Sequence, residues 1–270
     1  MNDTPHRWRT YVAIGDSFSE GMSDADPRQE GRYVGWADRL AGELSTRVPD
    51  GGFRYANLAI RGRKLDDVVG PQLETALSMG PDLVSVVGGG NDILRPRVDL
   101  DEVADRLERA VARIRATGAD VLVATPADPK DAGLLSHLRA RHGEHSANVF
   151  TIAQRHGAHV LNLWGLKALR DWRLWATDRI HLSTEGHRRV AHAALVALDQ
   201  PVADPAWHTT PLETLPPAPR RQQVAETATW ARAYAAPWVH RRLTGRSSGD
   251  TVTPKIGEPT PFGPADLPED

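Results

Sequence analysis

The feature that most constrains the fold of this chain is an alternation, across roughly its first 200 residues, of short apolar runs with longer amphipathic stretches. Apolar runs of four to six residues are typical of buried strands, and here they are Tyr11–Ile14, Phe53–Leu58, Leu83–Val87, Val121–Ala124 and His159–Leu163. The stretches between them place apolar residues at helical spacing, which predicts helices. Repeated strand–helix alternation favours parallel strands joined by right-handed crossovers. The sequence therefore predicts a three-layer α/β domain.

The composition of the chain changes near residue 200. Six of the nineteen residues from Pro201 to Pro219 are proline, which continues neither a helix nor a central strand. We therefore divide the chain into the α/β domain (9–200), a proline-rich strap with a short helix (201–246) and a tail (247–270). The tail is rich in Pro, Gly, Asp and Glu, and this composition predicts that it is disordered.

Composition excludes several classes of protein and of site. The chain has no Cys, which excludes disulfides, a thiol nucleophile, iron–sulfur clusters and Cys-ligated zinc. A formal net charge of −2 gives no overall attraction to nucleic acid, so no such partner is expected. The first apolar run is too short for a signal-peptide core or a transmembrane segment, so a cytoplasmic protein is expected. Five histidines lack the spacing of a metal site, and no metal or cofactor is predicted; they are His137, His142, His145, His156 and His159.

The first predicted strand runs directly into Gly15-Asp16-Ser17-Phe18-Ser19-Glu20-Gly21. Ligands of open parallel sheets bind at the carboxyl ends of the strands, so this turn lies where a site is expected. A helix that starts here would aim its N–H groups and the positive end of its dipole at a negative group near Ser17. Ser17 is therefore a candidate nucleophile. The alternative is a turn in which Ser17 or Asp16 only caps a helix.

A serine hydroxyl needs a base that removes its proton, and Asp178-Arg179-Ile180-His181 contains a candidate. An Asp three residues before a His can reach the imidazole Nδ1, fix the tautomer of the ring and stabilise its protonated form. His181 is thus predicted to be the base, and Asp178 the residue that orients it. The alternative is a loop histidine that pairs with Asp178 for local structure only.

The third predicted strand ends in Gly88-Gly89-Gly90-Asn91-Asp92. Glycines allow a ligand to approach the backbone closely, and the Asn91 amide could donate to a developing oxyanion. Gly62, after the second strand, could add a backbone N–H at the same edge. A nucleotide-binding turn is one alternative, but the glycines do not follow G-x-G-x-x-G and no P-loop Lys follows them. An Asn-Asp turn without chemistry is the other.

Taken together, these segments resemble the sequence blocks of the SGNH hydrolases, the GDSL esterase/lipase superfamily. The blocks are matched by Gly15-Asp16-Ser17 with Gly21, by Gly62, by Gly89-Gly90-Asn91-Asp92, and by Asp178 to His181. The resemblance covers roughly residues 9–200. It implies a flavodoxin-like α/β/α sandwich with a five-stranded parallel sheet, Ser17 as nucleophile and His181 as base. It further implies an oxyanion hole made of the Ser17 and Gly62 N–H groups and the Asn91 side chain.

Two residues near these blocks are candidates for substrate contact. Trp175 could line a substrate pocket, although packing in the core explains it equally well. Arg95 lies in a segment that follows the third block, and Arg95 or Arg97 could contact an anionic leaving group. A separate departure from the family pattern is the basic run Arg61–Lys64 around the glycine of the second block, which predicts an unusually cationic edge.

The sequence thus predicts a serine ester hydrolase that acts on small-molecule carboxylic esters through an acyl-enzyme intermediate. A second hypothesis is a catalytically idle α/β scaffold whose C-terminal tail, rich in Trp and Arg, binds a partner or an anionic surface. A scaffold has no physical need for Ser, His, Asp and Asn at one edge, which favours the enzyme. The natural ester, the choice between hydrolysis and acyl transfer, and the oligomeric state do not follow from these residues.

Overall fold

A computed structural model describes residues 8–214, 219, 221, 227–235 and 247–269 of the 270-residue chain. At its centre is a sheet of β1 (Thr10–Ile14), β2 (Arg54–Asn57), β3 (Leu83–Val86), β4 (Asp120–Ala124), β5 (His159–Leu161) and β6 (Ile256–Pro261). The strands lie in the order β5-β4-β3-β1-β2-β6. β1 to β5 pair in parallel, so the five predicted strands and the α/β class are confirmed. Taken from β2 to β5, the order 2-1-3-4-5 is that of flavodoxin-like sheets.

The sixth strand departs from the prediction. β6 pairs with β2 in the antiparallel direction, with Tyr55 opposite Thr260. The prediction that residues 247–270 are disordered is therefore wrong for the described residues 247–269. Prolines and charge make this segment a poor strand in isolation, but the open edge of β2 supplies backbone hydrogen-bond partners. Phe262 adds a buried contact with Tyr55, with ring centroids 5.0 Å apart.

Helices flank the sheet and mostly follow its strands. The described α-helices are α1 (Ser17–Glu20), α2 (Trp36–Ser45), α3 (Leu65–Asp67), α4 (Leu73–Ser78), α5 (Gly90–Ile93), α6 (Leu100–Ala116), α7 (Arg139–His156) and α8 (Thr184–Ala197). A π-helical turn at Val68–Gln72, which contains Pro71, joins α3 to α4. α6 starts at the N-cap Asp99, whose carboxylate accepts from the Asp101 N–H over 2.9 Å.

Side-chain alternation along the strands divides the core between the two faces of the sheet. In β1, Tyr11 and Ala13 point to the layer that contains α2 and α8, whereas Val12 and Ile14 point to the layer of α3, α4, α6 and α7. Both faces are covered, which explains why the central strands are almost continuously apolar. The result is the predicted three-layer sandwich, with the carboxyl ends of the parallel strands left at one open edge.

Several described residues after 200 contact the α/β domain. Trp207 stacks edge-on against His192 of α8, with ring centroids 5.2 Å apart. Lys255 Nζ donates to the Asp38 carboxylate over 2.5 Å and to the Glu20 carbonyl over 2.6 Å. Within the predicted strap and helix (201–246), the structure has a 3-10 turn at Trp207–Thr209 and a helical segment at 227–235. Apart from residue 221, the remainder of that predicted helix lies outside the described residues.

Among the described residues, no helix combines the length and the apolar character that crossing a membrane requires.

Candidate active site

The carboxyl end of β1 turns directly into α1, which puts Ser17 at the open edge of the sheet. Asp16 is the N-cap of α1, and its carboxylate accepts from the Phe18 N–H over 3.0 Å. Ser17 is the first residue of the helix, so its N–H has no acceptor within the helix. Gln72 clamps the turn: its Oε1 accepts from the Gly15 N–H over 2.8 Å, and its Nε2 donates to the Gly15 carbonyl over 3.0 Å. The backbone that presents Ser17 is therefore held on both sides.

Asp178 and His181 are joined as the sequence predicts, with His181 Nδ1 lying 2.6 Å from Asp178 Oδ2. Asp178 Oδ1 accepts from the N–H groups of Ile180 (2.9 Å) and of His181 (3.0 Å). Ser23 Oγ makes a longer contact of 3.4 Å with Asp178 Oδ2. The tight turn gives Arg179 a left-handed φ of 57°. Such a conformation costs a residue with a Cβ about 1–2 kcal/mol.

The protonation state of Asp178 follows from its partners. Burial alone would raise the pKa of Asp178, but the hydrogen bonds and the charge of His181 outweigh burial and hold that pKa below its usual range. The carboxylate is therefore ionised at neutral pH and accepts from the Nδ1–H of His181. This leaves Nε2 as the basic nitrogen of the neutral ring. An imidazole in this tautomer can take a proton from a neighbouring hydroxyl.

Asn91 reaches the same edge from α5, which follows β3. Its Nδ2 donates to Asp16 Oδ2 over 3.1 Å and to the Arg63 carbonyl over 2.9 Å. The structure thus brings together the segments of Ser17, Gly62 and Asn91, as the sequence predicts. Both hydrogens of the Asn91 amide are already donated, so Asn91 must give up one acceptor before it can donate to a ligand.

The Asp16 carboxyl lies at the meeting point of these segments. Burial raises the pKa of Asp16 to about 6, although the Phe18 N–H and the charge of His181 act in the opposite direction. Ser23 follows α1 closely in the chain and contacts Asp178, so the Asp178–His181 pair lies beside the segment that begins with Ser17.

The loop after β2 carries Gly62 at a left-handed φ of 73°, which favours glycine. Glu20 holds this loop, since its carboxylate accepts from the Arg61 backbone N–H over 2.7 Å and from Arg61 Nε over 2.9 Å. The same two side chains form an ion pair. The Arg61 guanidinium also lies over the Tyr33 ring, 5.0 Å from its centroid. The charge of Arg61 is matched by Glu20, so the edge is less cationic than the sequence predicts.

Three residues support the site in a way that the sequence did not predict, namely Gln72, Glu20 and His145. His145 is buried behind the third block, and a Cβ on Gly89 would lie 2.9 Å from its Cε1. Burial lowers the pKa of His145 to about 4, so the ring is neutral. Gln72 and Glu20 bind segments more than 40 residues away in the chain, which no short motif can reveal. The sequence signal that could have indicated one of these supports was the presence of an acidic residue, Glu20, in the first block and of a basic residue, Arg61, in the second.

The two candidate substrate residues make contacts within the domain. The Trp175 indole N–H donates to the Leu169 carbonyl over 2.7 Å, and the Trp175 backbone forms a bridge with Leu182. This half-buried position favours the packing alternative for Trp175. Arg95 follows α5 and is half-buried, and its carbonyl accepts from Arg141 over 3.2 Å.

In the part of the chain that the structure describes, no three His, Asp or Glu side chains come close enough to hold a metal ion. Three of the clustered histidines have separate partners instead. His156 Nε2 lies 2.8 Å from Glu108, whereas His142 Nδ1 and His159 Nδ1 each lie 3.0 Å from a backbone carbonyl.

Comparison with known proteins places these features in a family. Residues 13–189 match the GDSL-like lipase/acylhydrolase family. This range begins in β1 and ends in α8, and it includes every segment that carries Ser17, Gly62, Asn91, Asp178 and His181.

Individual relatives agree with this match. An acetylxylan esterase of Geobacillus stearothermophilus is 27% identical over 204 residues, which are 67% of this chain and 90% of the relative. A solved variant of an acetyl xylan esterase from the same organism has a TM-score of 0.60 at 25% identity, covering 73% of this chain and 97% of that one. An alpha/beta hydrolase from the metagenome of Lake Arreo, Spain, shares the fold with a TM-score of 0.61 at 24% identity, covering 71% of this chain and 95% of that one. The chain therefore belongs to the GDSL-like lipase/acylhydrolase family of SGNH hydrolases, and it is a serine ester hydrolase.

Proposed function

We propose that Ser17 is the nucleophile, His181 the general base and acid, and Asp178 the residue that orients His181 in the hydrolysis of carboxylic esters. The observation that carries this proposal is the 2.6 Å contact between His181 Nδ1 and Asp178 Oδ2. With Nδ1–H bound to the carboxylate, Nε2 is the nitrogen that can accept the Ser17 proton. The 3.4 Å contact of Ser23 Oγ, six residues after Ser17, with Asp178 Oδ2 supports the same arrangement.

In the first half-reaction, Ser17 Oγ attacks the carbonyl carbon of the ester while His181 Nε2 takes its proton. The tetrahedral intermediate collapses, the bond to the alcohol oxygen breaks, and His181 returns the proton to that oxygen. In the second half-reaction, water attacks the acyl-enzyme and His181 takes the water proton. Collapse then releases the carboxylic acid and restores the Ser17 hydroxyl, so each proton that His181 takes is returned within the same half-reaction.

The oxyanion of each tetrahedral intermediate would accept from the Ser17 N–H, the Gly62 N–H and the Asn91 amide. Their placement is supported by the Gln72 clamp on the Ser17 turn and by the Glu20 bonds to the loop of Gly62. Since Asn91 donates to Asp16 Oδ2 in the free protein, the oxyanion takes the place of that carboxylate oxygen during the reaction. The two backbone N–H groups are held in place before the reaction and would stabilise the charge without reorganising, whereas the Asn91 amide first exchanges Asp16 Oδ2 for the oxyanion.

The acetylxylan esterase relative supports a short acyl group on a carbohydrate alcohol as the substrate class to test first. The shape of the pocket sets acyl and alcohol preference, so relatedness alone does not fix either. Acetyl, butyryl and longer p-nitrophenyl esters, together with acetylated xylo-oligosaccharides, separate these preferences. We expect the highest kcat/KM with the acetyl esters.

The test of the catalytic assignment compares Ser17→Ala with Ser19→Ala. Ser19 lies on the same short helix, is buried, and has a hydroxyl without a hydrogen-bond partner among the described residues, so Ser19→Ala should keep its activity. Ser17→Ala should lower kcat for p-nitrophenyl acetate by roughly 10⁴-fold or more. A fluorophosphonate should add to Ser17, as peptide mass spectrometry would show. Retained activity in Ser17→Ala, or an adduct that avoids Ser17, contradicts the proposal.

A further inference from the structure

The loop that carries the Asp178–His181 pair is in contact with part of the C-terminal extension. We name residues 176–182 the base loop and residues 227–235 the extension helix. Trp230 of the extension helix donates its indole N–H to the Asp178 carbonyl over 2.7 Å. The extension thus binds the base loop at the backbone of Asp178 itself.

Arg179, the next residue of the base loop, lies between two indoles. Its Cζ is 5.5 Å from the Trp172 ring centroid and 5.5 Å from that of Trp230. A guanidinium is attracted to the faces of both rings, so the Arg179 side chain adds a second contact between the base loop and the extension helix. The Tyr234 hydroxyl, 3.0 Å from Thr177 Oγ1, adds a contact at the start of the loop.

We infer that Trp230 is a positioning residue, which holds the backbone of Asp178 so that the Asp178 carboxylate stays aligned with His181. The inference rests on the function proposed above for Ser17, His181 and Asp178. A carboxylate can keep an imidazole aligned only as well as its own backbone is fixed, and the Trp230 hydrogen bond acts on that backbone. A misplacement of reacting groups by about 1 Å can lower a rate about 10²-fold.

Trp230 lies outside the part of the chain that matches the family, which ends at residue 189. The extension therefore contributes to the alignment of a catalytic pair that the family domain contains. In this respect Trp230 differs from Gln72 and Glu20, which support the site from within residues 13–189.

The chain offers a matched control in Trp207. Trp207 also belongs to the extension, is half-buried like Trp230, and has the Arg189 guanidinium over its ring at 5.3 Å. It packs on His192 of α8 rather than on the base loop. The comparison is therefore Trp230→Phe and Trp230→Ala against Trp207→Phe and Trp207→Ala in the full chain. Trp230→Phe keeps an aromatic face for Arg179 but removes the indole N–H together with the five-membered part of the ring system.

With p-nitrophenyl acetate, kcat should fall about 10-fold in Trp230→Phe and about 10²-fold in Trp230→Ala, while KM stays within about threefold. The acid limb of kcat/KM against pH should move to lower pH, because a displaced Asp178 stabilises protonated His181 less well. The low-field proton NMR signal of the His181 Nδ1–H should broaden or move upfield. The Trp207 variants should keep the unmodified kcat, acid limb and NMR signal.

A folded Trp230→Ala variant with unmodified kcat, acid limb and Nδ1–H signal overturns the inference. If Trp230→Ala does not fold, Trp230→Phe decides by the same three readouts. Equal losses of kcat in the Trp230 and Trp207 variants, with no shift of the acid limb, would also overturn the inference. They would indicate that both tryptophans act on the stability of the protein alone. Failure of the proposed function can be told apart from failure of this inference, because a fluorophosphonate would then leave Ser17 of the unmodified protein unlabelled.

Discussion

Ser247 Oγ fills the space beside Gly62, so that a Cβ on Gly62 would overlap it. Ser247 donates to the Arg61 carbonyl over 3.5 Å and accepts from the Gly249 N–H over 3.1 Å. A Cβ on Gly249 would in turn overlap the Arg61 carbonyl. A turn of the C-terminal extension therefore lies directly on the loop that carries Gly62, with no room for a side chain on either glycine.

Gly62→Ala should lower stability and kcat together. Its φ of 73° costs a residue with a Cβ about 1–2 kcal/mol, and overlap with Ser247 adds to that cost. Urea unfolding should show a loss of at least about 1 kcal/mol. Gly70→Ala is the control, because a Cβ there has no described atom within 4 Å, and it should be neutral or stabilising.

The double variant Gly62→Ala/Ser247→Gly separates the two costs. It removes the overlap but keeps the left-handed backbone, so it should recover only part of the lost stability. Unchanged stability in Gly62→Ala alone would contradict the close approach of the two segments.

Asn91→Ala should lower kcat by about 10²–10³-fold, the usual cost of removing one oxyanion donor. KM should change little, because the donor acts mainly on the transition state. Steady-state kinetics with an acetyl ester and thermal unfolding check both effects, and Asn148→Ala on α7 serves as the control. A loss that resides entirely in KM would argue against an oxyanion role for Asn91.

Asp178→Asn should lower kcat by about 10⁴-fold, because an amide at this position favours the wrong imidazole tautomer. Since the pKa of Asp178 is held below its usual range, its carboxylate stays ionised as pH falls to about 4. The stability it contributes is present above that pH and is lost as pH falls through its lowered pKa. No limb of the pH–rate profile above about pH 4 should therefore belong to Asp178.

Asp171→Asn is the control for that variant, because Asp171 pairs with Arg173 over 2.6 Å and its pKa is likewise held low. We expect Asp171→Asn to keep its kcat. An Asp178→Asn enzyme within tenfold of the unmodified kcat would count against the orienting role.

Acid should destabilise the protein through His187, which is buried and whose Nδ1 accepts from the Trp36 N–H over 3.2 Å. Burial lowers its pKa to about 3, and the charges of Lys255 and Arg39 act in the same direction. A histidine in the unfolded chain titrates near about 6.5. Between about pH 6.5 and 3 the unfolded state therefore binds a proton that the folded state does not. The free energy of unfolding then decreases by about 1.4 kcal/mol for each unit by which the pH is lowered.

Urea unfolding at several pH values between 7 and 4 measures this slope. His187→Gln should flatten the slope by the amount due to this one histidine. His137→Gln should leave it unchanged, because His137 is exposed. An equal slope in the two variants would show that His187 does not carry the effect.

Strands β1 to β5 could be predicted because each one carries its own signal, such as the fully buried run Leu83–Val86. β6 could not, because Ile256–Pro261 contains two prolines and little apolar surface. It forms through pairing with β2, in which Tyr55 and Thr260 are 205 residues apart. Pairing between segments far apart in the chain thus produces a strand where the local sequence has little propensity to form one.

The site was predictable where its chemistry is local in sequence. Asp178 and His181 are three residues apart, and Ser17 lies in the turn that follows a strand, so motif and topology together indicate them. The supports are different, because a lone Gln72 or Trp230 in a sequence does not reveal which carbonyl it will bind. Likewise, the sequence indicates that the Asn91 amide is a donor, but it does not reveal that Asp16 Oδ2 accepts from it.

β6 is the last strand on the β2 side of the sheet, so β6 rather than β2 forms the outer edge there. Two of its six residues, Pro259 and Pro261, have no N–H, and the Pro259 carbonyl already accepts from Arg54 Nε over 3.1 Å. An incoming strand from another molecule would therefore find no regular row of donors and acceptors to extend. A chain shortened before residue 256 would bare the β2 edge, and we expect it to aggregate. Pro259 and Pro261 thus leave this outer edge without two of the donors that pairing with another sheet would use.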